Sequence, residues 1–119
     1  NLQTTVTMPG KTSQIRFDIS LDEHMVPERI EWEADDDPGR KSAKSALISL
    51  WDEKENNSMR IDLWTKAMTT DEMKAFFHQS LLTLADTFER ATSEKEMAGH
   101  MRAFGRFFGE KMCGVDPQG

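Results

Sequence analysis

One cysteine in 119 residues rules out an internal disulfide, so a reducing, cytoplasmic setting is expected. That residue, Cys113, precedes Gly114 at the end of the last helix-like segment, and only Lys111 lies close enough in sequence to activate it. It is read as a small hydrophobe. Positive charge is also short. Fifteen Lys and Arg stand against 21 Asp and Glu, a net charge of -6, which repels phosphate backbones, so nucleic acid is not an expected partner. No apolar run approaches the roughly 18 residues of a membrane-spanning helix, and no basic stretch leads into a short apolar one. Neither a membrane span nor a secretory signal is therefore expected. Catalytic signatures are missing too. There is no Gly-x-Ser-x-Gly elbow and no His-Glu-x-x-His set, and Gly10-Lys11-Thr12 lacks the upstream glycine of a phosphate-binding loop.

What is present suits one small globular domain. A chain of this length hides about 65% of the surface its unfolded form exposes, with 37% hydrophobic and 30% charged residues. The mean hydropathy of -0.64 points to some unpacked chain, placed at the ends: a flexible arm over 1–11, one α+β domain over 12–114, and a tail over 115–119. Ile15, Phe17, Ile19 and Leu21 alternate with Arg16, Asp18 and Ser20, the period of a strand with one buried face. Ile30, Trp32 and Ala34 alternate with Glu31 and Glu33 in a second strand with an acidic outer face. Asp35-Asp36-Asp37-Pro38-Gly39 then ends that strand as a solvated loop, since the ligand spacing of a calcium-binding EF-hand is absent.

Ile48-Ser49-Leu50-Trp51 and Ile61-Asp62-Leu63-Trp64 repeat one pattern and predict a hairpin. A two-residue turn at Asn56-Asn57 would set Glu53 opposite Arg60, Trp51 opposite Asp62 and Ser49 opposite Trp64. Those residues then share one face, while Ile48, Leu50, Ile61, Leu63 and Met59 form the core face. From Met68 onward the period becomes helical. Thr69 and Glu72 form a capping box, and Met73, Phe76, Phe77, Leu81, Leu84, Ala85 and Phe88 make an apolar stripe running to about Ala91. Ser93 and Glu96 repeat the capping pattern before a second stripe of Met97, Met101, Phe104, Phe108 and Met112, ended by Gly114 and Pro117. The expected fold is thus α+β: a four-stranded, mainly antiparallel sheet in the order β-β-β-β, followed by two α-helices packed on one face.

The remaining polar clusters read as ordinary surface. Glu96 and His100 form an i,i+4 pair with too few ligands for a metal, and Asp86 is ordered to pair with Arg90. His24, His78 and His100 fall in a loop and on two different helices. An unrecognised enzyme would need His78, His100 or a carboxylate inside a pocket. Trp51 and Trp64 stand apart, because the alternation that buries Leu50 and Leu63 turns both indoles outward. Large aromatics beside Arg60, Asp62 and Glu53 are the residue mix of protein-contact hot spots.

These residues also carry a family resemblance. Ser49-Leu50-Trp51-Asp52, Arg60-Ile61-Asp62-Leu63-Trp64-Thr65-Lys66, Asp71-Glu72-Met73-Lys74, Phe76-Phe77-His78-Gln79, Ala85-Asp86-Thr87-Phe88 and Arg90-Ala91-Thr92 resemble the gliding motility protein GldC family, and Val26-Pro27-Glu28-Arg29-Ile30-Glu31-Trp32 is similar to its Val-Pro-Glu-x-Ile-x-Trp segment. Together they cover most of 12–112. The resemblance implies a small bacterial cytoplasmic accessory protein of surface gliding, with no catalytic residue to carry over; from the residues themselves no metal or cofactor is expected. It implies a protein partner in the gliding or secretion machinery; a second copy of the chain is the other candidate. An adaptor or chaperone-like protein that takes peptides along a sheet edge is the alternative outside motility.

Overall fold

The computed structural model describes the backbone of residues 2–8 and 10–115 and the side chains of 10–115. The chain has the expected α+β content, two helices and antiparallel strands, and it divides into two compact units, Asn1–Met68 and Thr69–Gly119.

The first unit holds strands β1 (Leu2–Met8), β2 (Lys11–Leu21), β3 (Pro27–Ala34), β4 (Asp37–Ala43), β5 (Ser45–Asp52) and β6 (Asn57–Trp64). They form a sheet ordered β1-β2-β3-β4 and a separate hairpin β5-β6, not the one four-stranded sheet that the periodicity predicts. Two strands escaped the sequence pattern. β1 lies in the segment expected to be an arm, where Thr and Val favour extended backbone, and it pairs with β2 from Leu2↔Phe17 to Met8↔Lys11. β4 lies in the segment expected to be a loop. It tolerates Pro38 because it is an edge strand, where a missing N–H costs no ladder bond. Only Asp35 and Asp36 are left as the turn, since Ala34 pairs with Asp37. The Asp35 carboxylate accepts the Gln14 N–H at 3.0 Å and Asp36 accepts the Ser13 hydroxyl at 3.2 Å, which pins that turn to β2. The tail expected over 115–119 lies outside the described residues except for Val115.

The period of two in β2 and β3 gives the larger sheet distinct faces. Ile15↔Ala34, Phe17↔Trp32 and Ile19↔Ile30 stack on one, with Ile30 fully buried. On the other face the expected acidic strip is neutralised by arginines. Arg16 reaches Glu33 at 2.9 Å, and Arg40 reaches Asp18 at 2.7 Å and Glu31 at 3.6 Å. The hydrogen bond from Arg40 to Asp18, ahead of its other charges, raises the guanidinium pKa.

The second unit is a helical hairpin of α1 (Thr70–Thr92) and α2 (Lys95–Cys113). α1 starts as its sequence predicts: the Thr69 hydroxyl accepts the Glu72 N–H at 3.0 Å and the Glu72 carboxylate accepts the Thr69 N–H at 3.0 Å. The second capping box does not form. Ser93 adopts φ 62 as the C-cap of α1, its N–H donating to the Glu89 carbonyl, and α2 begins after Glu94 without a side-chain cap. The two-residue link leaves Ser93 no freedom to serve both helices. Nor does Asp86 pair with Arg90. Arg102 crosses from α2 to bind Asp86 at 2.9 Å and Glu89 at 2.8 Å, and these bonds, Glu89 first, raise its pKa.

The seam of α2 also differs from the predicted stripe. Ala98, Gly105 and Gly109 are the residues buried there, while Met97, Phe104 and Met112 remain about half exposed. Small residues let the helix backbones approach until there is no room for a methyl group. A Cβ on Gly105 would stand 2.8 Å from Leu82 Cδ2, and one on Gly109 would stand 2.5 Å from His78 Nε2. Gly99 has nothing within 4 Å. Gly105→Ala should therefore destabilise the protein by about 1–3 kcal/mol through overpacking, whereas Gly99→Ala should stabilise it by up to about 1 kcal/mol through helix propensity. Urea unfolding of the two variants checks this, and equal shifts would contradict the close packing.

Candidate functional site

The β5–β6 hairpin is built from its loop upward. The Asp52 carboxylate accepts the Glu55 N–H at 2.6 Å, the Asp52 carbonyl accepts the Asn56 N–H at 3.0 Å, and Asn56 takes the left-handed conformation at φ 53. These bonds close a four-residue loop, Glu53 to Asn56, between the paired Asp52 and Asn57. The predicted two-residue Asn56-Asn57 turn is thereby replaced, because the Asp52 side chain captures a loop N–H that a tighter turn would place in the ladder.

The register moves with the loop. Ser45 faces Trp64, Leu47 faces Asp62, Ser49 faces Arg60 and Trp51 faces Ser58. An even shift keeps every side chain on its predicted face, so Trp51, Trp64, Arg60 and Asp62 do share one side. Their spacing changes. Trp51 stands at the level of Ser58 and Trp64 is six positions further along the strand, so the indoles are separated by roughly 20 Å and not adjacent as the shorter turn implied. Arg60 and Asp62 lie between them. The Arg60 guanidinium holds Asp62 at 2.9 Å and donates to the Ser49 hydroxyl at 2.6 Å. Glu53, expected opposite Arg60, sits in the loop instead.

Both indoles face water, Trp51 at 67% and Trp64 at 57% exposure. On the reverse face, Ile48, Ile61 and Leu63 are half-buried, but the directly paired Leu50 and Met59 are 52% and 56% exposed. Alternation assigned that pair to the core and so missed it. Proximity to the loop was the available signal, since the loop end of a hairpin has least to pack against.

A polar latch joins the base of the hairpin to the larger sheet. Thr65, almost fully buried, donates its N–H at 2.8 Å and its hydroxyl at 2.9 Å to the Lys44 carbonyl. Next to it, the Lys66 ammonium meets the Asp22 carboxylate, whose side chain is only 7% exposed. Asp22 also organises the β2–β3 turn by accepting the N–H of His24 at 2.7 Å and of Val26 at 2.9 Å. The Lys66 hydrogen bond, then the Val26 N–H, lower the Asp22 pKa, and the same contact raises that of Lys66.

The remaining candidates are dispersed. His100 and Glu96 form an open pair at 4.0 Å, and His78 packs at the α1–α2 seam. Among the described residues no three His, Cys, Asp or Glu side chains cluster as a metal site would require, and no helix is long and apolar enough to cross a membrane.

A family model for gliding motility-associated, GldC-like proteins matches residues 27–113. Neither a curated protein nor a solved structure matches the chain significantly.

The latch has a pH signature. A folded carboxylate whose pKa lies below its unfolded value adds stability above that unfolded value, near pH 4, and loses it as pH falls through the folded one. Asp22→Asn should thus flatten the acid limb of the stability curve relative to the unaltered protein, as read by urea midpoints at successive pH values. Superimposable acid limbs would show that the Asp22–Lys66 contact adds nothing.

Proposed function

Because the chain belongs to the GldC-like family of gliding motility-associated proteins, we propose that it is a non-catalytic, cytoplasmic accessory protein of that process, acting through contacts between the β5–β6 hairpin and another protein. The carrying observation is the exposure of Trp51 and Trp64 on one face, flanking the fixed Arg60–Asp62 pair. A rigid indole loses little conformational entropy when it enters a pocket, and an oriented ion pair fixes the direction of approach. Both strands of the hairpin lie inside the matched segment. The free thiol of Cys113 fits a reducing compartment. A partner in the gliding or secretion machinery fits the family, with an arginine-accepting and an acid-accepting position between two apolar pockets set roughly 20 Å apart.

Capture from native lysate tests the proposal. Trp51→Ala with Trp64→Ala should leave the circular dichroism spectrum unchanged and weaken the partner by about 2 kcal/mol or more for each indole, roughly 30-fold apiece. Undiminished capture by the folded double variant would overturn it.

A further inference from the structure

Among the described residues, β6 pairs only with β5 in a two-stranded sheet, so its outer edge is free, and six of its eight residues are exposed. A lone two-stranded ribbon is marginal in water, and an open edge offers a row of unpaired N–H and C=O groups. The direction of those groups follows from the ladder. Thr65 donates its N–H to the Lys44 carbonyl, so in this register Ile61 and Leu63 also point their backbone groups toward β5, while Ser58, Arg60, Asp62 and Trp64 point theirs outward.

We infer that β6 pairs antiparallel with β6 of a second copy of this chain about a two-fold axis through Ile61. The inference rests on the contact role of the hairpin and adds a partner and a register to it. With Ile61 opposite its own counterpart, Arg60 falls opposite Asp62 of the second copy and Asp62 opposite the second Arg60. Ser58 falls opposite Trp64, and Met59 opposite Leu63. All the outward backbone groups then meet partners. On one face the charges alternate in sign around the axis, and Trp64 lies diagonally beside Arg60 of the second copy, an arrangement suited to a cation–π contact. On the other face Met59, Ile61 and Leu63 meet their own kind.

Moving the axis by one residue destroys this match. Centred on Arg60 it sets arginine against arginine, and centred on Asp62 it sets aspartate against aspartate, each unfavourable. The outer edge of β5 has no such code. Centred on Ser49, it would put Ala46 opposite Asp52, and its first four residues are already half-buried. Charges on an edge strand usually discourage pairing; the order Arg60-Ile61-Asp62 admits this chain while discouraging others. The result would be an isologous dimer with a continuous sheet ordered β5-β6-β6-β5.

Charge exchange decides the matter. The unaltered chain should sediment as a dimer whose mass falls toward the monomer only on dilution. Arg60→Asp alone, or Asp62→Arg alone, sets like charges opposite one another and should weaken the dimer about 100-fold. The double exchange, Arg60→Asp with Asp62→Arg, should restore it. So should an equimolar mixture of the two single variants, because each supplies the charge the other lacks. Trp51→Ala, on the neighbouring strand, should leave the dimer mass unchanged. A monomer at every concentration from micromolar to millimolar would overturn the pairing whatever the Trp variants do to partner capture, and so would failure of both the double exchange and the mixture to recover the dimer.

Discussion

The contact between Asp22 and Lys66 ties the β2–β3 turn to the residue that follows β6 and so links the two sheets of the first unit. Its carboxylate serves three neighbours: two N–H groups that shape the β2–β3 turn and the ammonium that follows β6. One buried acid thus connects the geometry of the larger sheet to the base of the separate hairpin. Beside it, Thr65 closes the hairpin onto the Lys44 carbonyl where β4 runs into β5. A carboxylate this secluded would be costly without its cation, and Lys66→Ala would leave that charge buried with only backbone donors. The latch fixes one end of the hairpin and leaves the loop end open to solvent.

That asymmetry shapes the surface proposed for contact. Toward the base, Ile48, Ile61 and Leu63 are half-buried; toward the loop, Leu50 and Met59 are exposed on one face and Trp51 on the other. The hairpin therefore exposes apolar groups on both faces and keeps its ion pair on the indole side. Such an element gains stability when a pocket takes its indoles or another strand takes its edge. Trp51 belongs to the pocket contact alone and the outward backbone groups of β6 to edge pairing alone, whereas Arg60, Asp62 and Trp64 enter both.

Much of this was legible in the sequence because simple periods encode it. The alternation in β2, β3, β5 and β6, the Thr69–Glu72 cap and the helix-to-helix succession all emerge from local patterns, and the outward direction of Trp51 and Trp64 follows from parity alone. The failures share a cause. Pro38 and Gly39 read locally as breakers, because edge position, which makes Pro38 harmless in β4, depends on the order of strands and not on local composition. The hairpin register slipped because the Asp52 side chain sets the loop length. On α2, large side chains suggested the packed face, yet Gly105 and Gly109 form it, since close backbone approach needs the absence of side chains. Arg102 likewise chose Asp86 and Glu89 across the hairpin over the local Arg90 pairing, a matter of which helix faces meet.

Amide hydrogen exchange along β6, followed as a function of protein concentration, tests most directly whether this hairpin works by contact. The amides of Arg60 and Asp62 point away from β5 and should exchange rapidly in dilute solution, then become protected as concentration rises, while the Ile61 amide, already bonded to β5, stays protected throughout. Rapid exchange at Arg60 and Asp62 at every concentration would contradict pairing at this edge, and loss of protection at Ile61 would contradict the hairpin register itself.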